Sequence, residues 1–367
     1  MSDSDLSEIE EETTPVGTLS GPEPTKPYEP PHVENYTPEH ELYQRTVISG
    51  TKSDVFCVKF APDGHMVAAG CGDGAIRLFH SASGRLVYQF SVGVAQFATT
   101  SLAFRSPIAG SKTRNILLSG NAEGYVQHWH VTSGKCLHTI KEEGNEIYAV
   151  EYNPEGSKFA TAGKDQTVRI YDEATKTRIQ ELSDGYANVT SGHFNRVFSL
   201  CYHPTDPNLL ISGGWDNTVQ VWDLRADHSV RSIYSPHICG DSVDIDGNTV
   251  LTGSWRPDKQ VQLWDLRTTE LEKDVPWGND SATGKATMVY GACFGGDQKQ
   301  YIAACGSDGN QCKLFDRQSS EVVGALDLPA ASYCCDFAPG GRFVAFAGNY
   351  NDIRICDVVG TRESAKQ

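Results

Sequence analysis

The chain has 367 residues, with 47 acidic against 31 basic side chains and a net charge of −16. That balance argues against a nucleic-acid groove, which needs a Lys/Arg surplus to displace counterions from phosphate, and against an anionic membrane surface. The longest apolar runs fall far short of the roughly 18–20 residues that span a bilayer. Eleven cysteines with no C-x-x-C pair suit reduced thiols in an intracellular protein better than a disulfide or zinc framework.

Residues 1–40 hold ten acidic residues against Lys26 alone, and seven of the 17 prolines. They cannot bury a core and are expected to form a disordered acidic tail. The opening MSDSDLSEIEEE lacks the basic start and apolar core of a signal peptide. Ser2, Ser4 and Ser7, set among carboxylates, suit an acid-directed kinase, each phosphate adding roughly −1.5 to −2 charges. From residue 41 the character changes. ELYQRTVIS at 41–49 reads as one isolated strand. Seven paired runs follow, each a strand, a Gly/Asp/Asn turn and a second strand that ends on a bulky apolar residue: Phe79, Trp129, Tyr171, Trp222, Trp264, Phe315 and Cys356. Their spacings of 50, 42, 51, 42, 51 and 41 point to a solenoid or a propeller, and strand patterning without helical periodicity favours the propeller. Preceding strands end at Phe60-Ala61-Pro62, Tyr152-Asn153-Pro154, Tyr202-His203-Pro204 and Phe337-Ala338-Pro339, where Pro stops a ladder because it has no N–H to donate.

The fourth unit runs from Gly192-His193 through LLISGGWDN to TVQVWDLR and resembles a complete WD repeat; the fifth also keeps Trp-Asp, and the others are variants. The resemblance implies an all-β, seven-bladed WD-repeat β-propeller over residues 41–360, between the acidic tail 1–40 and a short tail 361–367. Because the last unit stops one strand short near Gly360, it also implies that residues 41–49 complete the last blade, a closure that removes exposed edges. By position it further implies a buried network of His193, Ser212, Asp216 and Trp222, with partial versions at Thr161, Asp165 and Tyr171 and at Thr252, Asp258 and Trp264. The first, second, sixth and seventh units lack the set.

Several constellations have bland readings that outweigh their chemical ones. The Ser/His/Asp set has a structural place for every member, whereas nucleophilic catalysis needs an exposed nucleophile and oxyanion donors. Gly70-Cys71-Gly72-Asp73-Gly74 resembles part of a phosphate loop, but the strand-like AIRLF follows it instead of a helix. His128 and His130 have metal-ligand spacing on a strand without an evident third ligand. No convergent carboxylates, His or metal set is visible for a propeller enzyme, so no catalytic residue, cofactor or metal is expected.

The expected function is a non-catalytic scaffold, cytoplasmic or nuclear, that presents a monomeric propeller to protein partners within a complex and binds neither nucleic acid nor membrane. Trp215 and Trp255 occupy matching turns of adjacent units with Arg256 beside the second, while other units hold Gly72, Ala122 and Lys164 there. Trp and Arg dominate interface hot spots, so Trp215, Trp255, Arg256 and Lys164 are the expected partner-binding residues, in one sector walled by insertions 182–195 and 271–288. A further interruption lies at 105–114. As the alternative, Trp222-Asp223-Leu224-Arg225 and Trp264-Asp265-Leu266-Arg267 resemble boxes of substrate receptors for cullin-type ubiquitin ligases, with Arg225 and Arg267 meeting the adaptor.

Overall fold

A computed structural model describes residues 41–91, 97–106, 115–183, 192–226, 228–278 and 284–358. The tails 1–40 and 361–367, and parts of the three insertions (107–114, 184–191 and 279–283), lie outside the described residues, as do Ser2, Ser4, Ser7 and Gly360.

The described chain forms seven antiparallel sheets of four strands, each sheet one blade. Six blades are continuous in sequence, and the seventh takes its outer strand from the start of the described chain. Gln44–Ser49 pairs with Asp352–Asp357, setting Val47 opposite Arg354 and Ile48 opposite Ile353. Side chains reinforce this closure. Arg45 Nε lies 2.8 Å from Asp357 Oδ1, Arg354 Nη1 lies 2.9 Å from Gln44 Oε1, and Leu42 is buried against the sixth and seventh blades.

The core is divided among the blade interfaces. Seven apolar clusters each draw residues from two neighbouring blades; one joins Ala160 and Ile170 to Leu200 and Trp222, another joins Val219 and Val221 to Ile245 and Trp264. No blade buries its faces alone. Each depends on its neighbours, and burial of one large apolar side chain contributes about 1.5–3 kcal/mol.

Two local irregularities recur. The turn between second and third strands carries a left-handed residue in every blade: Gly74, Gly124, Gln166, Asn217, Lys259, Asn310 and Asn351. At Gly70–Gly74 this makes a tight hairpin, with the Gly74 amide donating to Cys71 O, between strands Met66–Cys71 and Ile76–His80. Backbone that closes a hairpin there is no helix-capping phosphate loop. The second irregularity is a bulge near the start of the inner strand in six blades, where the pairing register skips one residue: Phe56, Thr100, Tyr148, Phe198, Tyr290 and Tyr333.

Candidate functional site: an aromatic belt at one channel mouth

A bulge breaks the two-residue alternation of a strand and re-aims one side chain. In the first blade the inner strand Val55–Phe60 buries Val55, Val58 and Phe60, while Phe56 turns out with 39% of its surface exposed. The same skipped position holds an aromatic ring in the third, fourth, sixth and seventh blades. Two turn tryptophans and one loop histidine bridge the fifth blade, which has no such bulge. The result is a continuous belt of eight rings. Tyr148 stacks on Phe198 at 4.6 Å between centroids, Phe198 meets Trp215 at 5.2 Å, and Trp215 lies 6.3 Å from His237. Beyond it come Trp255 at 6.4 Å, Tyr290 at 6.1 Å, Tyr333 at 5.4 Å and finally Phe56 at 5.7 Å. The gap falls at the second blade, where Thr100 occupies the bulge and its hydroxyl lies between the carbonyl oxygens of Gly120 and Ile147.

The belt therefore reaches well beyond the single Trp215/Trp255 sector expected from the turns alone. That sector is nonetheless held firmly. The amides of Gly72, Ala122, Lys164, Trp215 and Trp255 each donate to the backbone of the loop that enters the inner strand, which fixes all five turns in the same way. Trp215 remains 37% exposed, donates from Nε1 to Cys239 Sγ at 2.8 Å, and has Arg196 5.0 Å over its ring. Trp255 Nε1 lies 3.4 Å from Ser307 Oγ. Arg256 donates from Nη1 to Ser235 O and Oγ at 3.1 and 3.0 Å. Lys164 pairs with Glu146 at 2.6 Å, and Glu146 also accepts from Tyr148. Hydrogen bonds from Lys164 and Tyr148 hold that carboxyl below its ordinary value. Burial, helped by Arg256, lowers His237, whose ring stacks on Trp215 and lies tilted to Trp255.

A polar network anchors the fourth-blade part of the belt. Asp216 Oδ2 lies 2.7 Å from His193 Nδ1, His193 Nε2 lies 2.7 Å from Ser212 Oγ, and Ser212 accepts from Trp222 Nε1 at 2.7 Å. All four residues are buried. Burial raises the Asp216 carboxyl, but His193, Thr218 and the Phe194 amide outweigh it and hold the carboxyl below its usual range. The Phe194 amide bonds to Asp216 at 3.1 Å, so the network fixes the loop that carries exposed Phe194 and Arg196.

Other blades use different chemistry. In the third, Glu142 takes the histidine's place and accepts from Thr161, Tyr171, Asn145 and Arg169, while Asp165 bonds to Arg169. In the fifth, Trp264 donates to Thr252, but Asp258 is 60% exposed and meets only Arg256 at 3.3 Å. Asp258 is thus no network member, because its turn carries it into water. The second blade keeps half the set, with Trp129 donating to Ser119 at 3.0 Å. The two histidines diverge: His128 is buried against Glu173 at 3.1 Å, and His130 contacts Ser133. Among the described residues, no group of three or more His, Cys, Asp and Glu could hold a metal ion.

Arg225 and Arg267 lie at the opposite end of the blades. In the fourth blade the third strand Thr218–Asp223 begins just after Trp215 and ends just before Arg225. Arg225 folds back on Asp223 at 2.8 and 2.7 Å, and the Arg267 amide donates to Asp265. At that end the channel holds a cavity of about 330 Å³. Contrary to expectation from sequence, carboxylates do converge there: Glu151, Asp241, Asp244 and Asp336 surround it with Lys59 and Lys299. Lys59 Nζ lies 2.8 Å from Asp241, and the Phe60 amide donates to Asp336 at 2.7 Å. Burial pushes Glu151 up to about 8 and Asp336 up to about 6. Burial alone would lower Lys59, but Asp241, Asp336 and Glu151 outweigh it and keep Lys59 charged. The arrangement is a cluster of four carboxylates and two lysines whose charges partly offset one another.

The WD domain, G-beta repeat family matches residues 134–172 and 186–223, and the anaphase-promoting complex subunit 4 WD40 domain family matches residues 39–107. The chain is similar to cilia- and flagella-associated protein 52 of Bos taurus, 26% identical over 74% of this chain and 40% of that protein. It is similar to periodic tryptophan protein 2 of Arabidopsis thaliana, 25% identical over 72% of this chain and 29% of that protein. The mouse target of rapamycin complex subunit LST8 is 26% identical over 63% of this chain and 68% of that protein. The chain thus spans about two fifths or less of the length of the first two relatives. Among the described residues no helix is long and apolar enough to cross a membrane.

Proposed function

We propose that this seven-bladed WD-repeat β-propeller is a non-catalytic scaffold that captures a protein partner on the mouth bearing the aromatic belt. The observation that carries the reading is the belt itself. Five bulges each turn a large ring toward the channel mouth, where packing in the core would have stabilised the fold by about 1.5–3 kcal/mol per side chain. A contiguous apolar surface held rigid by stacking and hydrogen bonds, with Arg256 and Lys164 at its edge, has the composition of an interface hot spot. Phe194 and Arg196 extend it beyond Trp215 and Trp255. The names of the relatives place one protein at cilia and flagella and another in a target of rapamycin complex. Neither name points to a nucleus, and both suit a role within an assembly.

Affinity capture from cells of the source organism, followed by titration of the captured partner, tests this reading. Trp215→Ala combined with Arg256→Ala is expected to weaken binding at least tenfold at an unchanged thermal midpoint. Retained binding, or a collapse in stability, would assign these residues to the scaffold alone. The adaptor alternative places binding at the opposite end, through Arg225 and Arg267. Arg225→Ala and Arg267→Ala should leave belt-mediated capture intact and would abolish it if the adaptor reading were right.

A further inference from the structure

The inner strands of the sixth and seventh blades, Thr287–Gly295 and Ser332–Phe337, lie side by side along the channel wall. Cys293 on the first and Cys335 on the second bring their sulfur atoms within 3.7 Å, and both are free thiols. Their surroundings differ. Cys293 is partly exposed and lines the 330 Å³ cavity, so small solutes can reach it, whereas Cys335 is 4% exposed and sits behind it. Cys201, also on the cavity wall, bonds instead to Asp244. Cys305 and Cys312 face each other within one hairpin and are both buried.

We propose that Cys293 and Cys335 form an oxidative modification site at which a small hydroperoxide creates a disulfide between blades. The Cys293 sulfur attacks the O–O bond, the distal oxygen leaves as water or an alcohol, and a sulfenic acid forms on Cys293. The Cys335 sulfur then attacks Cys293 Sγ. The S–O bond breaks, the S–S bond forms, and a second water leaves. Two thiol protons and two electrons pass to the peroxide, so two thiols and one hydroperoxide yield one disulfide. The sulfurs must close from 3.7 Å to about 2.05 Å to form the bond. The hydrogen bond offered by Cys335 lowers the Cys293 thiol, but burial with Asp336 and Asp244 outweighs it, so little thiolate is present and the reaction is slow.

The test is peptide mapping of the full chain after treatment with hydrogen peroxide in native buffer and alkylation of the remaining thiols. The expected result is one disulfide joining Cys293 to Cys335, loss of two of the eleven free thiols, and a rise in thermal midpoint on the order of 5 °C. In Cys335→Ser, the sulfenic acid on Cys293 should persist and be captured by dimedone; in Cys293→Ser, Cys335 should stay reduced. The proposal is overturned if Cys335 pairs with Cys305 or Cys334. It is equally overturned if Cys293 oxidises while Cys335 stays free, or if the disulfide forms only in denaturant.

Discussion

The two ends of the central channel are built from the same inner strands, yet they present opposite chemistry. At one mouth, residues skipped by the bulges turn rings such as the exposed Phe56 and the partly buried Tyr148 out of the core. Three residues further along the same strands, Lys59 and Glu151 face the cavity at the other end. The first end is apolar and stacked; the second is charged and partly compensated, with Asp241 and Lys299 still reaching water. A propeller can therefore place an apolar belt and a charge cluster on one strand, provided a bulge separates the two positions. The local twist that aims the ring leaves the later residues free to keep their ordinary alternation.

Opening the ring is the most drastic way to break this comparison, because both ends depend on it. Deleting residues 1–50 removes the strand paired with Asp352–Asp357 and should abolish cooperative unfolding and partner capture together, whereas deleting residues 1–35 should leave the thermal midpoint almost unchanged. Next in size is Asp216→Ala. It leaves His193 and the Phe194 amide without their acceptor, at about 1–3 kcal/mol per buried group, and frees the loop carrying Phe194 and Arg196. Calorimetry should show a lower midpoint, with capture at the belt weakened and the acidic end unaffected.

The acidic end has its own signature. Glu151 binds its proton more tightly when folded, so its contribution is fully present below the ordinary value of 4.5 and is lost as pH rises through about 8. Lys59, Lys299, Asp241, Asp244 and Asp336 face the same cavity, and Asp336 adds a parallel loss up to about 6. Glu151→Gln should flatten the decline of thermal midpoint between pH 4.5 and 8 without altering partner affinity; an unchanged pH profile would show that Glu151 ionises freely in the folded chain. The smallest effect belongs to Asp258→Ala. An exposed pair such as Asp258–Arg256 contributes about 0–1 kcal/mol, so its loss should barely move the midpoint, in contrast to the corresponding change at Asp216.

The repeat was legible because each hairpin turn needs a residue tolerant of the left-handed conformation and each third strand ends on a bulky apolar group. Gly74, Gly124, Asn217 and Trp222 announce both in plain sequence. The belt was not legible for a specific reason. In VFCVKF, alternation places Phe56 on the same face as Val58 and Phe60, hence in the core, and only the bulge moves it out. An aromatic second residue followed by a small third one, as in IYAVEY, VFSLCY and VYGACF, is the signal that could have revealed it. The carboxylate cluster was hidden differently. Lys59, Glu151, Asp241 and Asp336 lie far apart in sequence and meet only because consecutive blades circle one axis. At Asp258, matching by turn position carried a role too far, since the histidine of that loop, His237, meets Asn217 while Asp258 turns to Arg256.

The closing strand also sets an order of events during synthesis. Gln44–Ser49 emerges early, but its partner Asp352–Asp357 lies about 300 residues downstream. At roughly 5–20 residues per second the early strand must wait some 15–60 s, with Leu42, whose cluster belongs to the sixth and seventh blades, still in water. Only the first blade, whose Val55, Phe60 and Phe79 share a cluster with Ile48, is made in time to cover part of the strand. The nascent chain thus carries an unpaired strand edge until Asp352–Asp357 is made, and its yield in a cell should depend on chaperone capacity more steeply than the stability of the finished ring would suggest.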